Sequence, residues 1–205
     1  MTSHVSAVLD PGEGIEQTAR EALARVPISQ PPGLFGRILA WAGRRMGGQP
    51  MDVAFALSHQ RRLLWTMASF ERGVARWHAA DARLKHLAEL AAAAQVGCSW
   101  CVDYGYHLAL NAGLDEATLR DIGRWRESDR LTALDKQVIE YAEAVTATPP
   151  TTTDEMVAAL RERIGDAALV ELTMMVAVEN QRSRFNDALG LVAQGYTAAC
   201  RVPGR

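Results

Sequence analysis

Residues 79–105 read AADARLKHLAELAAAAQVGCSWCVDYG. Leu84, Leu87 and Leu90 recur at three-residue spacings beside a run of alanines, the pattern of a helix with a core-facing stripe. Gly97 suits the left-handed position that closes such a helix, and a second helix is expected to start near Cys98. That second helix runs to about Ala112, where Asn111-Ala112-Gly113 supplies a stop. Two helices thus meet at a thiol pair, Gly97-Cys98-Ser99-Trp100-Cys101.

The flanking sequence extends the helical reading. Alanine is the commonest residue, 34 of 205, and strictly alternating β-branched runs are absent, so the chain reads as all-α. Helices are expected at 14–26, after the Asp10-Pro11-Gly12 turn, and at 34–46, between Pro31-Pro32-Gly33 and Gly47-Gly48-Gln49-Pro50. Further helices are expected at 51–72, 79–96 and 98–112, and a short one opens at Asp115-Glu116. Another spans 130–146, with Pro149-Pro150 as its stop, and Thr153 caps a following turn before a last helical region at 166–198. A soft boundary near residue 50 separates an N-terminal helical arm, 1–50, from a compact domain, 51–198.

Bulk properties narrow the function classes. With 48% hydrophobic and 22% charged residues the chain is an ordinary globular one, long enough for a single sizeable core. A net charge of -2 and a pI near 6.2 leave no basic excess for nucleic acid or an anionic membrane. No run reaches 18 apolar residues, and the opening MTSHVSAVLDPGEGIEQ lacks a basic start and apolar run, so the expectation is cytoplasmic. Phosphate-binding, dinucleotide, zinc-protease and serine-hydrolase motifs are absent.

Chemistry concentrates at Cys98 and Cys101. Two thiols three positions apart at a helix N-terminus can close a small disulfide, and unpaired amides there favour a thiolate. The same pair could be half of a zinc site, but four ligands are needed and the remaining thiol, Cys200, stands alone near the C-terminus. It could also be two small hydrophobes. The expectation is a redox pair with no metal and no organic cofactor.

At about 100° per residue, Tyr104 and Gly105 share the face of Cys101, whereas His107 points about 120° away. His107 therefore reads as a polar residue of another face, with Asp103 one turn before it as a possible orienting partner. On the preceding helix His86 and Glu89 are neighbours, and an antiparallel crossing would bring them over the thiols as base or proton relay. The bland alternative is a solvated pair. Asn180, Arg182, Arg184 and Asn186 interrupt a long apolar helix and suggest a buried polar network or a subunit contact. The five tryptophans, 41, 65, 77, 100 and 125, read as core or interface anchors, and Met174-Met175 as core filler.

The stretch Leu84-Lys85-His86-Leu87 … Gly97-Cys98-Ser99-Trp100-Cys101 … Ala112-Gly113-Leu114 resembles the core of the carboxymuconolactone decarboxylase family, in its alkylhydroperoxidase D-like (AhpD-like) branch. The likeness covers about residues 50–195 and includes Asp135 to Pro150 and the Glu179-Asn180 … Arg184-Phe185-Asn186 pattern. It implies an AhpD-like helical bundle, oligomeric assembly, and peroxide reduction or electron transfer to a partner. Cys101 resembles the peroxide-facing thiol and Cys98 the resolving, partner-facing one, whereas helix-end electrostatics favour Cys98 as the more acidic. The family motif has a Glu twelve residues before the first Cys and a His four after the second; here these are His86 and Gly105.

The resulting expectation is a thiol-dependent peroxidase or disulfide oxidoreductase, an antioxidant protein of peroxiredoxin type. Its candidate site residues are Cys98, Cys101, Glu89, His86 and Tyr104, with Glu89 in place of the relay Glu and Tyr104 hydrogen-bonding the thiolate. Its partners would be a small hydroperoxide or a protein disulfide, an external thiol reductant, and further copies of the chain. Two alternatives stand beside it: a redox-sensing oligomeric binding module without turnover, and a decarboxylase of a small lactone acid. The latter needs a cationic anchor, for which the motif offers only His86 and Lys85.

Overall fold

The computed structural model describes residues 14–197. Among these, nine α-helices follow one another: α1 (Gln17–Leu23), α2 (Gly33–Gly47), α3 (Asp52–Ser58), α4 (Arg61–Val74), α5 (Ala82–Val96), α6 (Ser99–Asn111), α7 (Glu116–Arg120), α8 (Ala133–Thr146) and α9 (Asp154–Ala188). A 3-10 segment, Asp121–Glu127, follows α7. The described residues contain no strand, and no helix among them is long and apolar enough to cross a membrane. The Asp10-Pro11-Gly12 turn and Cys200 lie outside the described residues.

α5 is the axis of the bundle and packs against α6, α8 and α9. Its sequence explains why. Leu84, Leu87, Ala88, Leu90 and Ala91 to Ala94 are all buried, so the helix is apolar around most of its girth, which only a central position satisfies. The small alanines let the neighbours come close. Asp81 caps the N-terminus by accepting from the amides of Arg83 and Leu84, and Gly97 (φ 88°) closes the other end. Arg83 forks onto Asp135 with contacts of 3.2 and 2.9 Å, and Asp135 completes a capping box with Thr132 that starts α8.

Several sequence expectations shift. The 51–72 stretch forms two helices, because the chain turns at His59-Gln60, where Gln60 caps α4 and the His59 ring bonds the Pro27 carbonyl. The last helix starts at Asp154, with Thr153 as its cap, breaks at Gly165 (φ 79°), and ends at Ala188 rather than near 198. Gly190 (φ 69°) reverses the chain there, and the Asn186 carbonyl accepts from the amides of Leu189 and Leu191. Gly190 also lies against the Leu23 carbonyl, so closely that a Cβ would sit 2.3 Å from it.

Residues 191–197 are held by Asp103, the residue expected to orient His107. Its Oδ2 accepts from the amides of Gln194, Gly195 and Tyr196 at 2.9, 2.7 and 3.1 Å, and its Oδ1 from the amide and hydroxyl of Thr197. His107 instead contacts Asn111 at 3.0 Å and stacks on Tyr104. Trp100 and Trp125 are buried, but Trp41 and Trp65 are mostly exposed. Met175 is core as expected, whereas Met174 is half exposed.

Candidate active site

Cys98 occupies the N-cap of α6, and its sulfur accepts from the Cys101 amide at 3.3 Å. The helix-end amide is thus spent on Cys98, the arrangement that helix electrostatics anticipate for a thiol at this position. Both cysteines are free and buried, and Cys98 lies close enough to Cys101 to raise its pKa.

α9 supplies what the CxxC segment lacks. Glu179, Ser183 and Asn186 fall at spacings of four and three residues on one face of that helix, and all three are buried. Asn186 Nδ2 donates to Cys101 Sγ at 3.2 Å. The Glu179 carboxyl lies near enough to the same sulfur for its charge to act on it, and accepts from Ser183 Oγ at 2.7 Å. Burial pushes the Cys101 thiol well above its ordinary value, and contact with Cys98 and the charge of Glu179 add to the rise. Burial likewise pushes Glu179 up to about 7, an effect that Arg182, Ser183 and Cys101 offset and Glu89 increases.

The expectation of thiols acidified by surrounding amides therefore needs correction at Cys101. Loss of solvent outweighs the helix end there. What the site offers is a carboxyl that titrates near neutrality next to a thiol that does not release its proton readily.

Arg182 ties this pair to the rest of the polar cluster. Its guanidinium meets Glu71 at 2.9 and 2.5 Å, Glu89 at 2.8 Å and Glu179 at 3.3 Å. Burial works against the charge on Arg182, but the bonds to Glu71 and the fields of Glu179 and Glu89 more than restore it. Glu89 is thus joined to the thiols only through Arg182 and Glu179. His86 stands outside Glu89, with Nδ1 3.8 Å from its Oε2, and burial lowers its pKa despite that neighbour.

Tyr104 lies elsewhere. Its ring packs against Trp100, His107 and Tyr196, with centroids 5.2, 6.1 and 5.0 Å away, and no hydrogen bond among the described residues joins it to either sulfur. Gly105, on the face where the family motif has its histidine, lies against Leu90: a Cβ there would be 3.1 Å from Leu90 Cδ2.

Glu179, which no single-residue argument from sequence singled out, is the carboxyl beside the sulfur. The readable signal was the stripe 179, 183, 186, polar side chains at helical spacing on an otherwise apolar helix. No group of three or more His, Cys, Asp or Glu side chains among the described residues is placed to hold a metal ion.

An all-helical bundle carrying a buried dithiol at a helix junction defines the class. Residues 61–144 match the model of the Carboxymuconolactone decarboxylase family. The chain is 29% identical over 179 residues to the uncharacterized protein YnjA of Escherichia coli, covering 86% of this chain and 96% of YnjA. It is 31% identical over 121 residues to the uncharacterized protein Rv2313c of Mycobacterium tuberculosis, covering 59% of this chain and 42% of that protein.

Among solved structures, the fold is similar to that of the debrominase Bmp8, with a TM-score of 0.70, 13% identity, and coverage of 91% of this chain and 93% of that one. It is also similar to an Agrobacterium tumefaciens protein of unknown function described as a candidate AhpD antioxidant defence protein. That match has a TM-score of 0.60, 23% identity, and coverage of 65% of this chain and 92% of the other. Both likenesses are of fold.

Proposed function

We propose that the protein is a thiol-dependent peroxidase or disulfide oxidoreductase of the AhpD-like type, working through Cys98 and Cys101. The observation that carries this is Asn186 Nδ2 donating to the buried Cys101 Sγ at 3.2 Å, with the Glu179 carboxyl beside that sulfur and pushed up to about 7 by burial. A buried thiol needs a base before it can act as a nucleophile, and a carboxyl near neutrality is matched to that task.

In the proposed cycle Glu179 takes the Cys101 proton, and Asn186 Nδ2 donates to the resulting thiolate. The thiolate attacks one peroxide oxygen, the O–O bond breaks, and the leaving alkoxide takes the proton back from Glu179 as an alcohol. Cys98 then attacks the Cys101 sulfenic acid, forming the disulfide and releasing water. Two equivalents of an external thiol restore the pair.

The lactone-acid decarboxylase alternative fits the matched family's name, but two of the cations it could use are already engaged. Arg182 is shared among three carboxylates, and Lys85 is spent on Glu171 at 2.9 Å and the Trp77 carbonyl, so neither is left to anchor a substrate carboxylate. The likeness to Bmp8 is one of fold and carries no substrate over.

Self-association belongs to the same proposal, since α2 leaves Leu34, Ile38 and Trp41 exposed at helical spacing. The test uses the reduced protein and a hydroperoxide. Loss of two free thiols per chain with repeated turnover is expected, and Cys98→Ser or Cys101→Ser abolishes it. Peroxide consumption by both variants at the parent rate overturns the reading. Slow oxidation without turnover, accompanied by a change in assembly, transfers support to the redox sensor.

A further inference from the structure

Two hollows adjoin near Cys98 and share Asp187 in their walls. The larger, about 420 Å³, lies where α5 ends beside α9 and is walled by Gln95, Thr146, Thr148, Arg184 and Asp187. The smaller, about 230 Å³, is walled by Arg25, Gly97, Cys98 and, again, Asp187. Residues 95 and 96 wall the first and 97 to 99 the second, so the two follow one another around the end of α5 as one cleft, the second part reaching Cys98. The first hollow alone has the size of a small-molecule site.

The charges on these walls are not consumed within the fold. Arg184 donates to Thr148 Oγ1 at 3.2 Å and forms no ion pair among the described residues. Arg25 donates to the carbonyls of Asp187 and Ala188 at 3.2 and 2.6 Å, with no carboxylate paired to it among the described residues. No hydrogen bond or ion pair among the described residues engages the Asp187 carboxylate. Exposed charges of this kind are ordinarily just solvated. These differ in facing adjoining hollows, the second walled in part by Cys98, with two cations, one anion, an amide and three hydroxyls around them.

We propose that this cleft binds the reductant of the Cys98–Cys101 disulfide, and that the reductant is a small peptidic thiol carrying two carboxylates and one ammonium. The assignment rests on reading the pair as an exchangeable disulfide. Arg184 and Arg25 receive the carboxylates, Asp187 the ammonium, and the ligand sulfur lies toward Cys98. The ligand thiolate attacks Cys98 Sγ, the S–S bond breaks, and Cys101 leaves as a thiolate that takes its proton from Glu179. A second ligand thiolate attacks the ligand sulfur of the mixed disulfide, releasing the symmetrical disulfide and the Cys98 thiolate. Two thiols are oxidised, one protein disulfide is reduced, and the two thiol protons end on the cysteines.

The experiment oxidises the full-length protein with diamide and follows its reduction by glutathione, cysteamine, 3-mercaptopropionate and 2-mercaptoethanol at matched thiolate concentrations. The glutathione rate is expected to saturate and to exceed the other three by roughly tenfold or more, the advantage of a bound over an encountered thiol. Arg184→Gln and Arg25→Gln each reduce that advantage to about threefold or less, as loss of one charge-assisted contact requires. Arg161→Gln, remote and exposed, leaves it intact. Rates that rise linearly and follow thiolate reactivity alone overturn the proposal.

A second measurement does not need the disulfide. Calorimetry of the reduced protein with S-methylglutathione is expected to show binding that Arg184→Gln removes, and no binding overturns the cleft. Failure of hydroperoxide to oxidise the pair sinks the peroxidase reading while leaving both measurements in place.

Discussion

Asn186 Nδ2 lies 3.2 Å from Cys101 Sγ, while the Oδ1 of the same amide is buried with no hydrogen-bond partner among the described residues. One end of this side chain serves the sulfur and the other is left unsatisfied, a cost that a structural residue would have no reason to carry.

Asn186→Leu separates the two effects. It removes a donor to a charged sulfur, a contact of about 1.5–3 kcal/mol, so thiol oxidation by hydroperoxide slows by roughly 10- to 150-fold. It also removes the orphaned oxygen, so the melting temperature holds or rises. Stopped-flow thiol loss and thermal melting of one variant check both; a large fall in melting temperature together with unchanged kinetics contradicts the role given to Asn186.

Glu179 makes stability depend on pH in a defined direction. Its folded pKa of about 7 is above its ordinary 4.5, so the folded protein holds a proton that the unfolded chain has released. The contribution is complete below pH 4.5 and is lost as pH rises through 7, by at most about 3 kcal/mol. Denaturation of the parent and of Glu179→Gln at pH 4.5 and 8 should show the parent losing ground as pH rises. Peroxide reactivity runs the other way, climbing through pH 7 in the parent and staying low in the variant.

Arg182 faces Glu71, Glu89 and Glu179 together. Arg182→Gln leaves the buried Glu179 and the part-exposed Glu89 and Glu71 without their cation, and a loss of roughly 3 kcal/mol of stability at pH 8 is expected, most of it at Glu179. The loss shrinks at pH 5, where Glu179 is protonated. Arg182→Lys recovers only part of it, because an ammonium cannot fork to Glu71 while reaching the other two. Urea denaturation at the two pH values reads both effects.

Asp103 gathers four backbone amides and one hydroxyl from residues 194–197. Asp103→Ala strands buried donors and should cost roughly 4 kcal/mol. Limited proteolysis then cuts first within 191–197, and Asp103→Asn falls between parent and alanine variant. Equal cleavage patterns in all three would show that the segment is held by something else.

The bundle was legible because its signals are local. The stop at Gly97, the Thr153 cap and the apolar girth of residues 84–94 each follow from side chains within one or two turns. The sulfur environment was legible only in part, since it depends on a long-range pairing. Glu179 and Asn186 meet Cys101 across about eighty residues of chain, and nothing local says which face of α9 turns toward α6. The burial that reverses the expected acidity of Cys101 is likewise a product of packing. His86 and Glu89 share a face as their spacing required, yet Arg182 intervenes between that face and the thiols.

Gly105 and Leu90 fit each other so closely that any side chain at 105 must move the leucine first. A Gly105→His substitution therefore has to displace Leu90 Cδ2 by a few tenths of an ångström before the ring can enter. The spacing of two helices thus sets how large a side chain this point beside the thiol pair admits, so reshaping the site begins with the partner helix and not with the residue that would enter it.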